Sequence, residues 1–560
     1  MLVLGEASKP CFSVSEIEEE TQVPLIIATV SASEDKLKDR FNSNLIVIVC
    51  LPANPLDLQL LKVLAAKLHR SRQTRIILLF GTAKPTASLL DALTVYWEEQ
   101  YITNVIGFND LQSYFYRYYP FPNGHWRREL LNSSNFYFLP HQRDLQGKPF
   151  LTLPGQIAPR CLIYVDSAGQ QHLSGYVGLL LLTFAEKYNI TLQYRYPVIP
   201  GEILHLTVLL NFVTNGSLDV AITLVPLSYG GNGFYSFLTY PLELSGWFIV
   251  LPCPRPLYYS EIYTIVISAQ VIGFLIILHI LFSLLDSIIK HQFYKSSDGI
   301  IWTDILVNDN IFRGIIGLSF IIKSPHPVLS LKTLYVFLFL LGLFINNMYS
   351  AYFQTLFTSP PLQQEILTFD DMRNQNLKVM FDRREISTVK DSLGSDFNRT
   401  FKDILLLEDT KIFQRHRRDY DTAYAYSMPE SLWSIFEAQQ ETFERKLYCL
   451  APTLKFFGLL LLGIPLAENS YIMELLNMMT LRVVETGLLQ HWRTVTYLDM
   501  VTSGQLLKVE SKTTEKFHNI SIQDIQLPFY LLLCGLSVGG AVFIAELYLF
   551  KLKNKPPMRK

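Results

Sequence analysis

Three stretches of the chain run apolar and uncharged for long enough to cross a bilayer. A helix needs ~20 apolar residues to span the ~30 Å hydrocarbon core. Ile262 to Leu285 supplies 24 residues without Asp, Glu, Lys or Arg, bounded by Glu261 and Asp286. Thr333 to Gln364 supplies 32, of which Leu334 to Phe357 is the apolar part, and Ile525 to Ala545 supplies 21 before Glu546. The pattern predicts spanning helices over 261–286, 333–357 and 525–550. A fourth patch, Gly314 to Ile322, holds nine uncharged residues between Arg313 and Lys323, with Pro325 and Pro327 beyond. Half-length segments persist at membrane depth only where they are buried in protein or line a wet cavity. Residues 299–323 are therefore expected as a re-entrant pore segment; the alternative is an interfacial amphipathic stretch.

Outside these runs the pattern alternates between strand and helix periods. Leu45 to Leu51, Arg75 to Phe80 and Tyr101 to Phe108 read as strands, separated by helical Leu56 to His69 and Ala87 to Gln100. That is a βαβαβ unit without a glycine-rich phosphate loop. The aromatic stretch Tyr114 to Pro122 reads as surface or linker. A second block has strands over Arg160–Val165, Thr191–Tyr196 and Val220–Val225, with helices over Gly178–Tyr188 and Leu204–Asn215. A third, after the second span, mixes short strands and helices, among them Glu468–Gly487. Two α/β lobes interrupted by a pore-like module suggest a clamshell whose closure pulls on helices.

Composition agrees with a membrane chain. The charged fraction is 17 %, below the roughly 25 % of soluble domains, and mean hydropathy is +0.22. A net charge of −1 leaves no global basic field, so nucleic acid is not an expected partner. Six widely spaced cysteines exclude a disulfide-dense scaffold and offer no metal pairing, and no cofactor is implied. Cys161 and Cys253 either pair or remain buried thiols. Lys551, Lys553, Lys555, Arg559 and Lys560 place the tail in the cytoplasm by the positive-inside rule. The five glycosylation acceptors, Asn132, Asn189, Asn215, Asn398 and Asn519, then all fall outside. An external start needs a signal peptide, which residues 1–40 lack, so the start of the chain is expected to be incomplete.

The end of the second span carries a resemblance. Met348-Tyr-Ser-Ala-Tyr-Phe-Gln-Thr-Leu-Phe-Thr358 resembles the gate sequence Ser-Tyr-Thr-Ala-Asn-Leu-Ala-Ala-Phe-Leu-Thr of ionotropic glutamate receptors, keeping Tyr349, Ala351 and Thr358. Pro360, Pro361 and Phe369-Asp-Asp-Met372 follow as they do where that family's second lobe begins. Ser174-Gly175-Tyr176, Gly216 to Ile222, Tyr240-Pro241 and Glu485 to Leu489 with Trp492 match in order. Over roughly 148–550 the chain resembles the chemosensory ionotropic receptors of insects, divergent relatives of those channels. The resemblance implies a multi-domain membrane protein with a two-lobed, periplasmic-binding-protein-like α/β ligand domain split by an α-helical pore module. Its parts would be a short extracellular α/β region (1–147), lobe 1 (148–260), the first span (261–286), the re-entrant segment (299–323) and the second span (333–357). Lobe 2 (358–524), the third span (525–550) and a cytoplasmic tail (551–560) complete it.

The resemblance further implies a gate at Tyr349, Ser350, Ala351, Tyr352, Phe353 and Gln354, and ligand contacts from Ser228, Tyr229 and Glu430. Glu430 needs a one-residue shift and otherwise reads as a capping or surface glutamate. The arginine that holds a glutamate α-carboxylate has no counterpart: Gly230-Gly-Asn-Gly233 stands there. Lys187, Arg195 and Lys378 lie elsewhere by spacing. The family's paired cysteines of the second lobe are also missing, since Cys449 stands alone there. The implied function is a ligand-gated cation channel subunit that senses a small external ligand other than glutamate, not an enzyme. Its partners would be that ligand, permeant cations and ionotropic co-receptor subunits in a heterotetramer. Its place would be the plasma membrane of a sensory-neuron dendrite, with the N-terminus outside. The alternative is a non-conducting receptor or accessory subunit that kept the clamshell, with a membrane enzyme third. Gly535-Leu-Ser-Val-Gly539 fits a nucleophile-elbow pattern but lies inside the third span, where a helix-packing face explains it. His279, in the first span, is expected as a neutral hydrogen-bonding group facing a neighbouring helix.

Overall fold

The computed structural model describes residues 1–5, 24–29, 37, 45–51, 57–82, 84–109, 113–131, 137–139, 143–166, 168–227, 237–266, 268–294, 305–321, 328–443, 445–506 and 526–553. Ser228, Tyr229, Gly230 to Gly233, Asn132, Asn519 and the tail beyond Lys553 lie outside them. The chain forms two compact units, one of Met1–Pro252 with Ile366–Lys512 and one of Cys253–Glu365 with Thr513–Lys560.

The first unit begins with β1 (Leu2–Leu4), β2 (Ile26–Ala28), β3 (Ile46–Cys50), α1 (Leu58–Lys67), β4 (Arg75–Leu79), α2 (Ala87–Glu99), β5 (Val105–Phe108), β6 (Tyr114–Tyr119) and β7 (His125–Leu130). These strands form one sheet in the order β2-β1-β3-β4-β5-β6-β7, parallel as far as β5 and antiparallel beyond it. Asp57 and Thr86 cap the two helices through their side-chain oxygens, and the apolar stripes Leu60-Leu61-Leu64 and Leu89-Leu93-Trp97 are buried. The aromatic stretch at Tyr114 is thus a sheet strand and not a linker. Phe115 to Tyr118 are all buried, so the strand lacks the in-out alternation by which a half-buried strand is recognised.

The chain continues through β8 (Lys148–Pro154), β9 (Leu162–Val165), β10 (Gln171–Ser174), α3 (Tyr176–Tyr188), β11 (Ile190–Tyr194), α4 (Leu206–Thr214), β12 (Val220–Ile222), β13 (Val225–Pro226) and β14 (Glu243–Pro252). β8 lies between β11 and β12, parallel to both.

The second unit follows. The expected first span is two helices, α5 (Tyr259–Val266) and α6 (Ala269–Tyr294), and the second carries Asp286 and Lys290 within it. A short α7 (Asp309–Ile315) precedes α8 (Leu329–Thr358). With the last helix, Gln526–Lys553, three helices among the described residues are long and apolar enough to cross a membrane: Ala269–Phe293, Leu329–Thr358 and Gln526–Lys551. These mark the chain as a membrane protein. α7 is seven residues long and lies against α8 where both backbones are bare: a Cβ on Gly342 would fall 1.9 Å from the Gly314 carbonyl oxygen. His279 Nε2 sits 3.1 Å from the Leu306 carbonyl oxygen. The chain segments flanking the first two spans pair with each other. Pro256 bridges Leu362, the Leu257 amide donates to Pro361 at 2.9 Å, and the Gln363 amide donates to Arg255 at 2.8 Å.

Back in the first unit come α9 (Phe369–Asn374), β15 (Val379–Asp382), α10 (Ile386–Leu393), α11 (Ser395–Phe401), β16 (Leu405–Glu408), α12 (Thr410–Arg418), β17 (Ala425–Pro429), α13 (Glu430–Gln440), β18 (Tyr448–Gly463), α14 (Met473–Glu485) and α15 (Leu488–Thr502). A six-stranded sheet runs β13-β18-β14-β17-β15-β16, so strands from before and after the spans share it. β14 is antiparallel to both β17 and β18. In return, Ile464, Tyr471, Leu476 and Met479 pack into the core built by Phe150, Tyr176, Leu180 and Val220. The two halves are therefore laced together twice. The cysteines differ from expectation: Cys161 is a free buried thiol, while Cys253 and Cys449 are each disulfide-bonded.

Candidate functional site

A cavity of about 140 Å³ opens inside the first unit, lined from β8–β14 by Ile157, Arg160, Thr223 and Trp247 and from β15–β18 by Asp382, Glu385, Thr410 and Arg417. Two charge clusters flank it.

The first is organised by a glycine. Gly175 has φ +90, and a Cβ there would meet the Arg160 carbonyl oxygen at 2.5 Å; only glycine leaves room for this approach. The Tyr176 and Val177 amides at the start of α3 donate to the carbonyls of Pro159 and Arg160. That fixes Arg160, whose guanidinium donates to both Glu243 oxygens at 3.2 and 3.1 Å, and the Tyr176 hydroxyl donates to the same carboxylate. Burial alone would raise the Glu243 carboxyl. The Arg160 charge and the hydrogen bonds from Arg160 and Tyr176 outweigh burial and hold it down at about 2.

The second cluster stands at the end of β15. The Arg417 guanidinium donates to the Ser427 carbonyl at 3.1 Å and to the Gln414 side chain at 2.5 Å, and lies 4.7 Å from the Phe413 ring. Burial lowers it to about 10 against the pull of Glu385. Burial and the Asp382 charge push the Glu385 carboxyl up to about 7, opposed by Arg417 and Arg160. Asp382 also accepts the Arg384 amide at 2.9 Å.

The rest of the lining is largely apolar, with Ile157, Ile203, Leu224, Phe413 and Leu432, while the rings that hold Trp247 belong to the adjoining core and do not line the cavity. Trp247 stacks on Phe381 at 5.7 Å and packs against Phe456 and Phe457. Its indole nitrogen and the hydroxyl of Thr410 are buried without a hydrogen-bond partner.

Of the residues proposed from the sequence, Glu430 is exposed in the first turn of α13, and its carboxylate accepts the Gly246 amide at 2.8 Å. It joins β14 to α13 and is not among the cavity-lining residues. Lys187, Arg195 and Lys378 are exposed and do not line the cavity. In the second unit, Tyr349 donates to the Val266 carbonyl at 2.9 Å, while Phe353 lies 6.1 Å from the Tyr263 ring and 4.4 Å from Phe357. One helical face of the gate segment thus packs on α5. Ser350, Ala351, Tyr352 and Gln354 are exposed. Asn189, Asn215 and Asn398 are exposed on the first unit.

Sequence reasoning missed Arg160, Glu243, Trp247, Glu385 and Arg417. A signal existed for Glu243, a lone carboxylate between Leu242 and Leu244 in an apolar run. Arg417 had none, since Arg415 to Arg418 reads as a solvated face. No family model and no curated protein matches the chain.

Proposed function

We propose that this chain is a subunit of a ligand-gated cation channel of the chemosensory ionotropic-receptor type, responding to a small external ligand other than glutamate. The observation that carries the reading is the cavity. It is lined from both α/β halves of a single unit, and the chain leaves that unit after β14 to build two apolar helices before returning at Ile366. A ligand that draws the halves together acts on segments in direct covalent series with the spans. The positions resembling a gate lie at the C-terminal end of α8, next to the returning segment. No arginine stands at the family's carboxylate position; of the cavity arginines, Arg160 is engaged by Glu243 and Arg417 by Ser427 and Gln414, and Arg384 is exposed. This argues against an amino acid held by its α-carboxylate.

The subunit conducts with larger ionotropic co-receptor subunits at the plasma membrane. The test is current recorded from cells expressing it alone and with co-receptors, during a screen of acids, amines, sugars, salts and neutral organics. The expected result is agonist-evoked cation current only on co-expression. A robust current from the lone chain overturns the partner reading, and a bound ligand that never evokes current overturns the channel reading.

A further inference from the structure

Among the buried charges that line the cavity, acid outnumbers base. Arg160 is neutralised by Glu243, which leaves Arg417 against two carboxyl groups, Asp382 and Glu385. Arg384 also lines the cavity but is exposed, where water screens its charge. The Arg417 donors go to the Ser427 carbonyl and to Gln414, and among the described residues neither Asp382 nor Glu385 enters an ion pair. One Asp382 oxygen accepts the Arg384 amide. Glu385 stands at the N-cap of α10, yet its side chain makes no capping bond and accepts no other hydrogen bond among the described residues.

The charges that act on the Glu385 carboxyl locate it. Asp382 and Arg417 reach it from the β15–β18 wall and Arg160 from the β8–β14 wall, and all three line the cavity. A group within reach of both walls lies in the space between them. Ser427, 1 % exposed, lines the same space. Its peptide is engaged by Ile249 of β14 and by Arg417, so the hydroxyl is the group it offers there, and that hydroxyl has no partner among the described residues. Two carboxyls and a hydroxyl match the three donors of a primary ammonium group. They do not match a metal ion such as calcium, which takes about six to eight oxygens, and the rest of the lining is largely apolar. An apolar protein cavity of ~150 Å³ accepts benzene, which bounds the guest at about six to eight non-hydrogen atoms.

We propose that this cavity binds a small organic amine in its ammonium form, held by the Glu385 and Asp382 carboxylates with its hydrocarbon part on the apolar wall. The inference rests on reading the cavity as the ligand seat and deepens it by naming the chemistry of the ligand. The Glu385 carboxyl answers the repulsion of Asp382 by keeping its proton up to about 7. An ammonium group between the two carboxyls removes the repulsion and displaces that proton.

The test is calorimetric titration of the full chain in nanodiscs, with empty nanodiscs subtracted, against cyclohexylamine, cyclohexanol, cyclohexane and cyclohexanecarboxylate. Cyclohexylamine is expected to bind most tightly, and to gain up to about tenfold between about pH 6 and pH 8 as Glu385 ionises. Glu385→Gln is expected to weaken the amine about 10–100-fold, the worth of one hydrogen bond to a charged group. It should also flatten the pH dependence and leave cyclohexane unchanged, which reports an intact fold. Asp382→Asn is expected to weaken the amine in the same sense. Tighter binding of the carboxylate or the alcohol overturns the proposal, as does an amine affinity that is flat with pH in the parent or unchanged in Glu385→Gln. Amine binding that drives no current in the co-expressed channel supports the proposal and overturns the channel reading instead. Current evoked by another screened compound, with no amine binding, overturns the proposal alone.

Discussion

Asp286 of α6 accepts a hydrogen bond from the Tyr335 hydroxyl of α8 at 3.0 Å, with both side chains buried. The same carboxylate receives Lys290 at 2.7 Å and Asn308, the N-cap of α7, at 3.0 Å. One carboxylate therefore ties three helices of the second unit. Tyr335→Phe removes one bond to a buried charge and is expected to lower stability by ~1.5–3 kcal/mol. Asp286→Ala is expected to cost more, since it strands the Tyr335 and Asn308 donors together. Thermal melts of the full chain in nanodiscs read both; an unchanged melting temperature for Asp286→Ala would contradict the tie.

The Arg160–Glu243 pair is the second test. Breaking a buried pair leaves an uncompensated charge, at ~3–5 kcal/mol. Glu243→Ala and Arg160→Ala are each expected to destabilise the first unit by that order. The pair also fixes an acid limit. A carboxyl held near 2 against an unfolded value of 4.5 contributes stability above pH 4.5 that is lost as pH falls toward 2. The Glu243→Ala variant should lack that part of the acid transition, measured by chemical denaturation across pH.

Glu385 works in the opposite sense. Its carboxyl titrates near 7 in the folded chain and at 4.5 when free. Between these values the unfolded chain has released a proton that the folded chain keeps, so stability falls as pH rises and stays lower above 7. Glu385→Gln is expected to melt higher than the parent above pH 7, with the gap closing toward pH 4.5. A gap that widens on acidification would reverse the assignment.

Topology is read from the sugars. Asn189, Asn215 and Asn398 are exposed on one compact unit, so all three acceptors are reachable if that unit is outside. Each Asn→Gln change is expected to remove one glycosidase-sensitive mass step, while an epitope at Lys560 stays hidden in intact cells. A tail epitope that stains without permeabilisation would invert the scheme.

Much of the scaffold was legible because its signals are local. Apolar runs marked the long helices, and the alternation of Leu45–Phe108 marked the strand–helix succession β3, α1, β4, α2 and β5, whose strands pair in parallel. The break before Ala269 was invisible, since no charge or proline marks it. β6 was hidden because burial on both faces erases the two-residue period. The cavity was the least legible part. Arg160 and Glu243 lie 83 positions apart and Trp247 and Phe381 lie 134 apart, and no local pattern records which distant segments a sheet will bring together. Glu430 was singled out only through a resemblance that needs a one-residue shift, and its carboxylate serves the backbone of Gly246.

The short ribbon of Arg255–Leu257 against Pro361–Gln363 removes a degree of freedom. Were the two segments separate, each could lengthen, twist or slacken while its neighbour stayed still. Bridged by backbone hydrogen bonds, they behave as a yoke: a tug on either strand displaces both, so the head of α5 and the foot of α8 share one stroke.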